Sequence, residues 1–145
     1  MGINFKKKYY LWLPLLTATL LFYGCQNKTK SFITKKWDCV QVENLAPMSN
    51  NAITPQDSAI AMQTEAALKA LNWTFSTNNT YQCSIGDRVT TQGTYEISAD
   101  EKTLTLTPSS KNIINTYSIT IVTENELALT STGTNVPLIL HFRPH

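Results

Sequence analysis

Leu71-Asn72-Trp73-Thr74-Phe75-Ser76, then Thr77-Asn78-Asn79-Thr80, then Tyr81-Gln82-Cys83-Ser84-Ile85, is the stretch that decides the fold class. Leu71, Trp73 and Phe75 alternate with polar residues, and after the break Tyr81, Cys83 and Ile85 do the same. A period of two sends successive side chains to opposite faces, so each half reads as a strand with one dry and one wet face. The Asn-rich break between them is a turn signal. Together they predict an antiparallel hairpin.

The same alternation extends in both directions. Trp37 to Glu43 reads as a first strand, ahead of the hairpin. After it come Tyr95 and Ile97, then Leu104 and Leu106, then Tyr117, Ile119 and Ile121, then Leu127 and Leu129, then Leu138, Leu140 and Phe142. That makes eight strands. One helix interrupts between the first and second. Thr54 is its cap, Pro55 suits its first position, and Asp57 stands where a capping-box acid belongs. Ile60, Ala67, Leu68 and Leu71 fall on one helical stripe. Short connections of three or four residues join strands two to three, four to five and six to seven, whereas residues 44–70, 86–92, 108–114 and 132–136 form longer ones. Alternate connections of an antiparallel meander lie at opposite ends, so short loops share one end and long loops the other. The fold class is all-β: an eight-stranded antiparallel up-and-down barrel, whose closure removes exposed sheet edges.

The N-terminus has a separate logic. Lys6-Lys7-Lys8 precedes an apolar run from Tyr9 to Tyr23, and Gly24-Cys25 follows. The run is interrupted by Pro14 and is short of the ~20 apolar residues that span a bilayer. A basic start, an apolar middle and a small residue at the end define an export signal. Leu21-Phe22-Tyr23-Gly24-Cys25 resembles the lipobox of bacterial lipoproteins. That resemblance implies removal of residues 1–24 and acylation of the Cys25 thiol. Several acyl chains on one residue make a stable anchor, since each buried CH₂ adds ~0.8 kcal/mol. Gln26 stands where an inner-membrane retention signal has aspartate, which implies the outer membrane, at its periplasmic face. The expected division is a signal over 1–24, a lipidated polar tether over 25–36 and a barrel domain over 37–145.

Charge and cysteine usage exclude several functions. The formal charge is +2, and residues 1–24 hold three lysines and no acid, so the remainder carries about −1. Lys35-Lys36 is its only adjacent basic pair, so no basic surface for nucleic acid is expected. After acylation of Cys25, Cys39 and Cys83 remain. Two thiols in an exported protein point to a Cys39–Cys83 disulfide. Strand order points the other way: strands one and three are two spacings apart, roughly 9–10 Å, beyond the about 4.4–6.8 Å between bridged Cα atoms. Both histidines, His141 and His145, lie at the C-terminus, and there is no C-x-x-C, nucleophile elbow or paired-carboxylate motif. No metal, cofactor or catalytic activity is expected.

Lys35-Lys36-Trp37, Trp73-Thr74-Phe75-Ser76 with Asn78-Asn79, Gly93-Thr94-Tyr95-Glu96-Ile97, Thr103-Leu104-Thr105-Leu106 and Glu126-Leu127-Ala128-Leu129 together resemble the lipocalin-like domain of small bacterial lipoproteins of the Bacteroidetes type. The resemblance spans about residues 33–143. It implies that Trp37 stacks with Arg143 to close one barrel end, beside the tether. Residues 44–70 would then cover the opposite end as a lid facing away from the membrane. Inward Trp73, Phe75, Tyr81, Tyr95, Tyr117 and Phe142 would line a pocket for a small hydrophobic ligand, although barrels of eight strands are also found filled by side chains. The alternative is a non-enzymatic protein-interaction module, an accessory subunit or inhibitor that uses the mouth loops.

Overall fold

Trp73 stands opposite Cys83 and Phe75 opposite Tyr81. The predicted hairpin is therefore formed, by β2 (Leu71–Phe75) and β3 (Thr80–Ile85). The structure is a computed structural model that describes residues 28–45, 54–110, 113–133 and 136–145. The expected signal sequence and Cys25 lie outside the described residues. The other elements are α1 (Lys28–Ile33), β1 (Lys36–Glu43), α2 (Pro55–Lys69), β4 (Arg88–Ile97), β5 (Thr103–Pro108), β6 (Asn115–Val122), β7 (Leu127–Ser131) and β8 (Ile139–Pro144). The eight strands close into one antiparallel barrel in sequence order, and β8 returns to β1.

The inward phase is set by the alternation. Trp37, Cys39, Trp73, Phe75, Tyr81, Cys83, Tyr95, Leu104, Leu106, Leu127, Leu129, Leu140 and Phe142 form one buried cluster. The strands start and end at two distinct rims. At the floor lie the turns 76–79, 98–102 and 123–126, each closed by its own polar side chains. Asn79 takes φ 64°, and Asn78 Oδ1 accepts from Thr80 N at 3.3 Å. The Tyr95 hydroxyl donates to Ser76 O at 2.9 Å, which ties β4 to the first of these turns. Thr123 Oγ1 accepts from Glu126 N at 3.0 Å.

Two expectations are corrected. The segment expected to be a flexible tether is folded from Lys28 onward. Thr29 Oγ1 donates to Glu101 Oε2 at 2.8 Å, and Ile33 is 0 % exposed, so α1 plugs the barrel floor. The connection 86–92 is not long: β4 begins at Arg88, and Gly86 at φ 56° makes a two-residue hairpin turn. The reason is local. Arg88-Val89-Thr90-Thr91-Gln92 holds one apolar residue, and a register shift after Cys83 sets that Val89 opposite Ser84, so the apolar alternation that marks a strand is missing from residues 88–92. The helix α2 packs against β1 and β2, where Leu68 meets the buried cluster, and none of its side chains is fully buried. The helix begins as expected, with Thr54 and Asp57 forming a capping box. Its half-buried face is Asp57, Ala61, Glu65 and Leu68, whereas Ile60 and Ala67 of the expected stripe turn to solvent.

Candidate functional site: the barrel lumen and its mouth

The six residues expected to line a pocket are brought together: Trp73, Phe75, Tyr95, Tyr117 and Phe142 make ring contacts, and Tyr81 joins the same buried cluster. Trp73 sits at the centre. Its ring centroid is 5.2 Å from Phe142, 5.9 Å from Tyr117 and 6.2 Å from Phe75. Phe75 meets Tyr95 edge-on at 5.2 Å. Tilted and T-shaped pairs of this kind are the favoured aromatic geometry. These side chains form a packed aromatic layer across the lumen. Burial pushes the Tyr81 hydroxyl up to about 12, helped by the neighbouring Cys83 and Tyr117, and raises Tyr117 too.

The barrel-closing pair is different from the one expected. Trp37 is 0 % exposed, and its indole N–H donates to Ile33 O at 2.8 Å. The cation over its ring is Lys35, with Nζ at 5.2 Å from the centroid. Arg143 cannot take that place. Trp37 pairs with Pro144, and Arg143 pairs with Asp38. Since Phe142 points inward, Arg143 one residue later points outward. Lys35 Nζ also donates to Glu124 O at 2.8 Å, fixing the ammonium between the plug and the β6–β7 turn. The sequence carried a hint of this arrangement. Phe32-Ile33 is the one apolar pair between Cys25 and Trp37.

The Cys39–Cys83 disulfide is absent, and both thiols are free and buried. The register explains it. Trp37, Trp73 and Cys83 share one row across β1, β2 and β3, so Trp73 stands between the two cysteine-bearing strands. Burial pushes Cys39 up to about 11 and Cys83 up to about 12. Neither thiol is an activated nucleophile, because the thiolate is the reactive form. Among the described residues no three His, Cys, Asp or Glu side chains converge to hold a metal.

Above the aromatic layer the lumen changes character. Val42, Leu71, Tyr117, Ile119 and Leu138 pack against the buried cluster and yet are only half-buried. Val42 ends β1, Leu71 begins β2, Tyr117 is near the start of β6 and Leu138 precedes β8, so four of the five lie toward the mouth. With Leu68 of α2, which packs against the same cluster, they ring the mouth end of the lumen as an apolar cup over the Trp73 layer. The same alternation that located the six aromatics also gives Val42, Ile119 and Leu138. They were missed as site residues because aliphatic side chains carry no ligand signature.

A second depression lies outside the barrel. Val40, Gln41, Thr123, Asn125, Glu126, His141, Phe142, Arg143 and Pro144 surround an open groove of about 630 Å³. It arises where Val40 bulges out of the β1–β8 ladder between Cys39 and Gln41. His141 Nε2 lies 3.1 Å from Glu43 Oε1, at an angle too poor for a hydrogen bond. Of the six expected lining residues only Phe142 borders this groove, so it is separate from the lumen.

A closed eight-stranded meander with an apolar cup at one end and a plug at the other defines a small up-and-down β-barrel. The lipocalin-like domain family matches residues 33–129, and the chain belongs to that family. No curated protein sequence matches it. Among solved structures it is similar to a DUF4847 family protein from Bacteroides vulgatus, at 15 % identity and a TM-score of 0.50, with 77 % of this chain and 93 % of that one covered. It is also similar to a lipocalin-like protein from Bacteroides uniformis, at 9 % identity and a TM-score of 0.49, with 78 % and 98 % covered.

Proposed function

We propose that this protein is a lipoprotein, anchored through Cys25 in the outer membrane with its barrel on the periplasmic side, and that the barrel binds a small hydrophobic molecule without catalysing a reaction. The observation that carries the binding reading is the cup. Apolar inward side chains left half-buried at the mouth cost free energy in water, about 25 cal/mol for each Å² of apolar surface exposed. A ligand that covers them recovers it. The Trp73 layer limits depth, so the ligand is short or only partly enclosed. Family membership supports the same reading. The anchor rests on the resemblance of residues 21–25 to a lipobox.

Two measurements test it. Native mass spectrometry of the protein purified from its own host is expected to reveal a co-purifying small molecule. Leu138→Trp, which fills the cup from its rim, is expected to weaken binding of an apolar fluorescent probe roughly tenfold, a change of ~1.4 kcal/mol. Absence of both a bound small molecule and saturable probe binding overturns the ligand reading. The stacked aromatics favour a second reading, in which the filled lumen is a scaffold and the mouth loops hold a protein partner. A stoichiometric co-purifying protein would favour that one.

A further inference from the structure

The groove on the outer wall has no part in the lumen. It follows β8 from the bulged Val40 down to Arg143 and Pro144, and the β6–β7 turn forms its other bank. Pro144 pairs with Trp37 near the start of β1, so this end of the groove opens at the floor. Arg143 and Glu126 bring opposite charges to it, and both are exposed. They do not bridge each other. Among the described residues neither the guanidinium nor the carboxylate has a hydrogen-bond or ion-pair partner, and the Asn125 side-chain amide is also unengaged. The neighbouring charges are occupied. Asp38 is held by His145 at 2.9 Å and Glu43 lies 3.1 Å from His141. Lys36 meets His145 at 3.0 Å, and Lys35 donates to Glu124 O at 2.8 Å. One groove therefore presents a free cation and a free anion side by side.

We infer that this groove binds the zwitterionic headgroup of a lipid in the bilayer that holds the protein, with a phosphate against Arg143 and the ammonium beyond it against Glu126. Two observations select this occupant. The first is the charge set. A simple anion would meet Glu126, a simple cation would meet Arg143, and an apolar ligand would take water from both charges without compensation. A ligand that carries both signs on one short chain answers both. The guanidinium fork matches phosphate oxygens, and Val40, 44 % exposed, offers the intervening methylenes an apolar wall. The second is reach. The helix α1 is fastened to the floor by Thr29 on Glu101 and by the buried Ile33. Only Gln26 and Asn27 separate Cys25 from Lys28, and three residue steps span at most ~11 Å. An acylated Cys25 thus holds the floor at the headgroup layer, which is roughly 5–8 Å thick on each side of the hydrocarbon. The floor as a whole carries both signs, with Lys28, Lys30 and Lys102 beside Asp100, Glu101 and Glu124, so the selection lies in the groove and not in a general attraction to anionic lipid. The zwitterionic chemistry rests on the groove alone. The choice of a membrane lipid over a soluble molecule of the same chemistry rests also on the lipoprotein reading proposed above.

The test uses the full chain, purified from a host that exports and acylates proteins, in nanodiscs of equal phosphatidylethanolamine and phosphatidylglycerol. Both lipids carry the phosphate, and only the first carries the ammonium. Native mass spectrometry of the released protein is expected to show phosphatidylethanolamine retained roughly tenfold over phosphatidylglycerol, a discrimination worth ~1.4 kcal/mol. Glu126→Gln should abolish that preference. Arg143→Gln should lower retention of both lipids roughly tenfold. Both side chains are exposed, so circular dichroism should show the strand content unchanged. Leu138→Trp, which fills the cup, should leave retention as it was. Equal retention of the two lipids by the parent chain overturns the site, as does a preference that survives Glu126→Gln. Loss of retention in Leu138→Trp moves the lipid into the cup and overturns it too. Displacement of the lipid by an equal concentration of soluble phosphoethanolamine overturns the membrane source. The intact mass reports acylation in the same spectrum and separates the two readings. An unacylated Cys25 with the preference intact removes the anchor and leaves the groove. An acylated Cys25 without the preference does the reverse.

Discussion

At the scale of single residues, small positional facts govern the barrel. Gly93 faces inward between Tyr81 and Pro108. A Cβ there would collide with Thr107 O and come within 2.8 Å of Pro108 Cα. Both obstacles are backbone and cannot swing away, so Gly93→Ala is expected to destabilise by about 1–3 kcal/mol, the usual range for overpacking. Urea denaturation measures it, and an unchanged midpoint would mean that β5 shifts freely. Lys35 and Arg143 make a sharper comparison. Lys35 lies over the Trp37 ring and bonds Glu124 O, so Lys35→Ala should cost about 0.5–1 kcal/mol. Arg143→Ala, on the outer wall, should fall within about 0.5 kcal/mol of zero. The opposite ranking would restore the Trp37–Arg143 pair implied by the sequence resemblance. That pair was illegible as wrong from sequence alone. Whether β8 meets Trp37 with residue 143 or 144 depends on the register, and the Val40 bulge shifts the β1–β8 ladder by one residue.

At the scale of elements, the alternating strands were legible because each buries one face, and α2 because its cap is chemical: the Thr54 hydroxyl accepts from Asp57 N at 3.2 Å while Asp57 Oδ2 accepts from Thr54 N at 2.9 Å. The Thr54 hydroxyl, which donates to Asp57 Oδ2 at 2.7 Å, and then the Thr54 N–H hold the Asp57 carboxyl below its ordinary value. The element that escaped is α1. Lys-Thr-Lys-Ser-Phe-Ile is one and a half turns with few apolar residues, and a helix that short has no stability of its own. It exists because Ile33 and Trp37 need each other. The two helices therefore make opposite predictions. Ile33→Ala removes a wholly buried side chain from the plug and should cost about 2–5 kcal/mol. Thr54→Ala removes a cap worth about 1 kcal/mol to its helix, but no side chain of α2 is fully buried, so the barrel's unfolding midpoint should barely move while helical circular dichroism falls. If Thr54→Ala lowered the barrel midpoint as far as Ile33→Ala, α2 would be a structural part of the closure.

At the scale of the whole molecule, four weak acids, Cys39, Cys83, Tyr81 and Tyr117, face the lumen and are neutral in the folded state at neutral pH. Cys39 and Cys83 are pushed from the usual 9.0 to about 11 and about 12, and Tyr81 from 10.0 to about 12; Tyr117 is raised as well. The sign of the linkage follows. Below pH ~9 these groups are protonated in both folded and unfolded chains and stability does not depend on them. As pH rises past 9 the unfolded chain loses its thiol protons first, the folded chain binds more protons, and stability falls with pH. The fall deepens past pH 10 as unfolded tyrosines ionise, and flattens only near the folded values of about 11 to 12. Urea midpoints measured under reducing conditions should thus be level from pH 7 to about 9 and then drop. Cys39→Ala with Cys83→Ala should delay the onset of the drop to about pH 10, leaving the tyrosine limb. A midpoint that stays level to pH 11 would show that solvent reaches the lumen below the Trp73 layer. That outcome would open the barrel interior beyond the cup and enlarge the ligand it could hold. A drop at pH 9 places the boundary of the wet lumen at Trp73, and confines any bound molecule to the mouth.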